Sequence, residues 1–143
     1  MESRKIVILG AGHVGSHCAY ALAAAGDCEE IVLVDTLAEK AAAQALDVAD
    51  SVSFMDHAAA VRSGGYAECG DAALVVVAIG EPRLPGQTRL DLLGRSVELL
   101  KGLAKELRPL KLTCPVVTIT NPADIVADWL RKALELERWQ CFG

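Results

Sequence analysis

The chain has 143 residues, enough for one domain and too few for two ordinary ones. Hydrophobic residues make up 52%, charged residues 23% and aromatics only 4%, which disfavours disorder and implies an aliphatic core of the kind found in parallel sheets covered on both faces. The net charge of −5, with no basic run, argues against a nucleic-acid partner, and no apolar stretch reaches the ~20 residues that span a bilayer.

Apolar runs of strand length alternate with segments of helical period. Met1–Lys5 leads straight into a strand at Lys5–Leu9 (KIVIL), which is expected to leave no room for a signal peptide. A helix of small residues follows at Val14–Ala25, then a strand at Glu30–Val34 and a helix from Leu37 to about Ser51 with Ala41, Ala45 and Val48 on one face. A weaker strand is expected near Ala59–Arg62 and a strong one at Leu74–Ala78 (LVVVA). In the helix Asp91–Leu107, Leu93, Val97, Leu100, Ala104 and Leu107 recur at steps of three and four. Pro115–Ile119 is another strand, Pro122 opens a helix carrying Val126, Trp129, Leu130 and Ala133, and Trp139–Gly143 begins a sixth strand. This order predicts one α/β domain with a doubly wound parallel sheet, a Rossmann arrangement in three αβα layers. A chain ending inside a strand is expected to be a fragment of a longer protein.

The cysteines Cys18, Cys28, Cys69, Cys114 and Cys141 are odd in number and lack C-x-x-C spacing, so neither disulfides nor a metal site is expected, and a reducing cytoplasm is the expected compartment.

Gly10-Ala11-Gly12-His13-Val14-Gly15 fits G-x-G-x-x-G. The pattern alone is weak; between a strand and a helix it reads as a dinucleotide site. The first glycine makes the tight turn, the second admits the pyrophosphate, and the third lets helix and sheet pack closely. Asp35 ends the second strand, where a carboxylate can accept ribose hydroxyls and would repel a 2′-phosphate, favouring NAD over NADP. A turn for the glycines and a helix cap for Asp35 are the plainer readings, and the joint register of strand, turn, helix, strand and acid argues against them.

The loop Gly80–Arg89 (GEPRLPGQTR) follows the strongest strand, beside the crevice where open α/β sheets bind ligands. Arg83 and Arg89 there suit an anionic substrate, since a guanidinium matches a carboxylate with paired hydrogen bonds. Solvated surface arginines are the alternative.

Gly10–Gly15, Asp35, Glu81–Leu92 (EPRLPGQTRLDL) and Thr120–Asp124 (TNPAD) together resemble the lactate/malate dehydrogenase family, over essentially the whole chain, as its N-terminal domain. The resemblance implies NAD as cofactor and hydride transfer between nicotinamide and a small 2-hydroxy/2-oxo acid. It implies that Arg89 polarises the substrate carbonyl and that Arg83 reads the distal group, arginine there being the malate-type residue and glutamine the lactate-type. It implies that Asn121 hydrogen-bonds substrate near the nicotinamide, and that Ala78, Ile79 and Gly80 pack along the cofactor. Asn121 also reads as a cap ahead of Pro122 at the first helical position. A homodimer or homotetramer, contacting through the helix after Asp35, is implied too.

The family's catalytic histidine–aspartate pair and its arginine for the 1-carboxylate have no counterpart here. His13, His17 and His57 lack a suitably placed carboxylate by motif, so the chain alone is expected to be inactive. A non-catalytic NAD(H)-binding or sensing module is the alternative. A short-chain dehydrogenase is disfavoured because neither Tyr20 nor Tyr66 has a lysine four residues on.

Overall fold

Val, Ile and Leu fill Lys5–Leu9 (β1), Glu30–Val34 (β2) and Leu74–Val77 (β4), and these β-branched and aliphatic runs are buried because helices cover both faces. With Ala60–Ser63 (β3), Val116–Thr118 (β5) and Cys141–Phe142 (β6) they form one six-stranded sheet, ordered β3-β2-β1-β4-β5-β6. Every pairing is parallel. The computed structural model describes residues 4–56, 59–80, 85–86 and 89–143, the side chains of 89–94 excepted.

Successive strand residues point to opposite faces, and the core divides accordingly. Ile6, Ile8, Ile31, Leu33 and Val76 pack with Ala19 and Ala23 of His13–Ala25 (α1) and with Ala45, Val48 and Val52 of Ala38–Val52 (α2). Val7, Leu9, Val32, Val34, Val75 and Val77 pack with Leu100, Leu103 and Leu107 of Arg89–Leu107 (α3) and with Val126 and Leu130 of Ala123–Ala133 (α4). The expected three layers are therefore present. Helix α1 ends at Gly26, in the left-handed region at φ 71°, whose N–H returns to the Leu22 carbonyl.

Helix α3 starts at Arg89, ahead of the expected Asp91. Val97, expected in the core, is 37% exposed, and Leu103 at 3% is buried instead. Leu103 joins Leu100, Ala104 and Leu107 in the core, and Leu99 and Leu103 also border an open crevice. Helix α4 also departs from expectation: Pro122 is its N-cap, and no side chain caps the helix. Asn121 therefore does not act as the cap.

A short 3-10 segment at Tyr66–Asp71 had no signature in the sequence. Charge holds it in place. Lys5, buried at the start of β1, donates to Glu68 at 3.0 Å and also pairs with Asp71. Arg62 reaches both Glu68 oxygens, at 2.8 and 2.9 Å, and Glu30 of β2 at 2.6 Å.

Hydrogen bonds from Arg62 and then Lys5 lower the Glu68 carboxyl from 4.5 to about 2. Because the folded value lies below the unfolded one, this contribution is complete above about pH 4.5 and is lost as pH falls toward 2. Glu68→Gln is expected to cost on the order of 1 kcal/mol at pH 7. Urea midpoints should show the variant losing less stability than the parent between neutral and strongly acidic pH. Parallel acid profiles for the two proteins would contradict this account of the network.

Candidate functional site

Neighbouring strands β1 and β4 run to helices on opposite faces, so the connections diverge at their carboxyl ends and leave a crevice. Two adjoining cavities occupy it, of about 250 Å³ and about 520 Å³, sharing Gly12, Lys40, Ala78, Ile79 and Gly80 as a common wall. The smaller lies beside Asp35 and the larger beside Asn121.

The three motif glycines have three different physical roles. Gly10 sits at φ +105°, and an added Cβ would lie 2.4 Å from the Ala78 carbonyl oxygen. Gly15 packs under the turn, where a Cβ would come within 1.8 Å of the Gly10 oxygen. Both are required by the fold. Gly12 is different: its backbone is ordinary extended chain at φ −81°, and among the described residues a Cβ there meets nothing within 4 Å. The described residues leave the space over Gly12 open.

Gly12 is the N-cap of α1, and no side chain caps that helix. The first-turn N–H groups of a helix lack carbonyl partners and carry the positive end of its dipole. Here they border the same crevice, with His13 and Val14 on the larger cavity and Val14 exposed. Among the described residues nothing obstructs an anion's approach to the space over Gly12. Open space beside uncapped helix amides suits a pyrophosphate, so the residues present fit a dinucleotide.

Asp35 stands across from the glycine turn. Its Oδ2 accepts the Ala11 N–H at 2.9 Å and its Oδ1 accepts the Leu37 N–H at 3.0 Å, while Lys40 lies 3.9 Å away. It thus ties the glycine turn to the start of α2 and also borders the smaller cavity. The N-cap of α2 is Leu37 and no side chain caps that helix, so Asp35 acts as a brace between the two turns and not as the helix cap. A further cavity along α3, bounded by Thr36, Tyr66, Leu99 and Leu103, extends this end of the crevice.

On the other side, Ala78, Ile79 and Gly80 follow β4, and Ile119, Thr120 and Asn121 follow β5. The Asn121–Pro122 bond is cis. Gln44 lines the crevice without having been singled out in the sequence, and Thr120, Lys40 and Tyr66 line it without having been given a site role there. Lys40 and Gln44 lie one helical turn apart on α2, a spacing that could have flagged them.

Arg83 lies outside the described residues, as do the side chain of Arg89 and all of His57. The Arg89 backbone opens α3. His17 directs its Nδ1 to the His13 carbonyl at 2.5 Å, and among the described residues no histidine forms an ion pair with a carboxylate. Among the same residues no cluster of His, Cys, Asp or Glu could hold a metal, and no helix is long and apolar enough to cross a membrane.

A family model described as the lactate/malate dehydrogenase NAD binding domain matches residues 4–143. An L-lactate dehydrogenase of Fusobacterium nucleatum is 39% identical over 132 residues, 92% of this chain and 41% of that protein. The minor L-lactate dehydrogenase of Enterococcus mundtii, in its ligand-bound crystal structure, is 37% identical with a TM-score of 0.88, over 96% of this chain and 44% of the other. The malate dehydrogenase of Archaeoglobus fulgidus in complex with NADH is 31% identical with a TM-score of 0.89, over 97% of this chain and 48% of the other. The chain therefore spans less than half the length of each of these relatives. Glycine turn, acid, strand order and crevice agree with these likenesses, and the chain belongs to the lactate/malate dehydrogenase family, as its NAD-binding domain.

Proposed function

We propose that residues 1–143 act as one NAD-binding unit of an L-2-hydroxy-acid dehydrogenase, whose substrate domain and remaining catalytic groups lie outside them. The observation that carries this reading is the open space over Gly12, facing uncapped helix amides and bordered by Asp35.

In this reading the amides of Gly10–Gly15 bind the diphosphate and Asp35 accepts the ribose hydroxyls. His13 and Val14 flank the phosphates, while Ala78, Ile79 and Gly80 pack along the cofactor. NAD supplies the hydride acceptor when bound. Asn121 orients the substrate beside the nicotinamide end, and Arg89 stabilises charge on the carbonyl oxygen. The substrate is a small 2-hydroxy/2-oxo acid, with Arg83 favouring the malate/oxaloacetate type. The names of the Fusobacterium and Enterococcus relatives favour lactate as the second reading. Leu46 and Phe54, exposed on and just after α2, offer an apolar surface for a homodimer or homotetramer contact in the cytoplasm.

The test is calorimetric titration of the 143-residue chain. NADH is expected to bind, and NADPH at least about tenfold more weakly, because its 2′-phosphate meets the Asp35 carboxylate. Asp35→Ser should erase that preference. No oxidation of malate or lactate is expected from the chain alone. An absence of NADH binding sinks the cofactor reading, and turnover by the purified chain sinks the placement of the general acid/base outside it.

A further inference from the structure

One wall of the larger cavity consists of two turns, Ala78–Gly80 after β4 and Ile119–Asn121 after β5. The strand ladder between them stops at the pair Val77 and Thr118, and the Ile119 N–H makes one more bond to the Val77 carbonyl at 2.9 Å. Beyond that point a side chain takes over. Thr120 is 8% exposed, and its hydroxyl donates to the Ile79 carbonyl at 2.7 Å. The Val77 carbonyl lies 3.4 Å from the same oxygen but already accepts the Ile119 N–H. A hydroxyl has one proton to give, and the shorter contact takes it. The Thr120 N–H in turn donates to Thr118 Oγ1 at 3.2 Å, which fixes the threonine's own backbone.

We propose that Thr120 is a positioning residue that sets the nicotinamide-side wall of the crevice, holding the Ile79–Gly80 turn in register with Asn121. The inference rests on the cofactor reading above, with the nicotinamide half at the Asn121 end. Ile79 and Gly80 border both cavities, but Thr120 touches only the larger. The adenosine end adds Asp35 and the glycine turn, which have their own hydrogen bond to each other. Loss of the Thr120 hydroxyl should therefore weaken one half of the ligand and spare the other.

Calorimetric titration of the 143-residue chain with NADH and with ADP separates the two ends. Thr120→Val is expected to weaken NADH by about fivefold, the worth of one hydrogen bond, with ADP unchanged. Thr120→Ser keeps the hydroxyl and should restore NADH. Thr120→Ala carries the same expectation as valine if the added methyl is not accommodated, and thermal midpoints show which variants remain folded. An equal loss for both ligands marks a general effect on the fold and overturns the proposal. Unchanged NADH affinity in a folded Val or Ala variant does the same, as does a parent chain that binds NADH no better than ADP. A parent chain that binds neither ligand overturns the cofactor reading itself, and this inference with it.

Discussion

Gly12→Asp is expected to reduce NADH affinity by more than about 100-fold while leaving the domain as stable as before or slightly more so. The two halves of this result have separate causes. At φ −81° the Gly12 backbone accepts any residue, and an added Cβ meets no atom of the described residues within 4 Å. An aspartate at an N-cap accepts first-turn N–H bonds and complements the helix dipole, which is worth a few tenths of a kcal/mol over glycine. The same carboxylate fills the open space beside those amides and repels a diphosphate. Gly15→Ala is the contrasting case. Its methyl would lie 1.8 Å from the Gly10 oxygen, so the turn must shift, at a cost of about 3 kcal/mol or more. Urea unfolding and NADH titration of both variants separate the roles. A Gly12→Asp protein that binds NADH normally would show that the phosphates do not lie over this residue.

Arg83→Gln, made in a protein that joins this domain to a substrate domain as the proposed function requires, is expected to shift the specificity ratio from oxaloacetate toward pyruvate by about 100-fold or more. A site that pairs a distal carboxylate loses most of its discrimination when the guanidinium goes, because the substrate's charge is then desolvated without a partner. Glutamine keeps a hydrogen-bonding side chain without the charge, which favours a substrate whose distal group is a methyl. The readout is kcat/KM for each acid in both proteins. Retention of the parent ratio would remove Arg83 as the selector. Preference of the parent enzyme for pyruvate would remove the malate-type reading and favour the lactate one.

Strands, helices and the glycine turn were legible because each rests on local rules. The period of two in KIVIL and EIVLV separates two cores, and the steps of three and four in α2 identify Ala41, Ala45 and Val48 as buried. The candidate cofactor residues Gly10, Gly12 and Asp35 were visible for the same reason, since spacing along the chain places them at consecutive strand ends. Val97 and Leu103 were harder, because both lie at the margin of the same stripe and only the position of the sheet decides between them. The Tyr66–Asp71 segment carries no periodic pattern, and its ties to Lys5 lie 63 and 66 residues away.

Chain order alone dictates the parallel, doubly wound topology and puts a glycine-rich turn and an acid where a dinucleotide would bind, because apolar period, turn chemistry and crossover handedness act over short stretches. Folding adds the distinctions that depend on distant neighbours. Only the close approach of Gly15 to Gly10 and of Gly10 to Ala78 separates glycines needed for packing from the one that leaves room for a ligand. The Thr120 hydroxyl meets the Ile79 carbonyl, 41 residues away in sequence, only in the folded chain. Steric exclusion and hydrogen bonding act through space, and these pairs become neighbours only when the sheet closes.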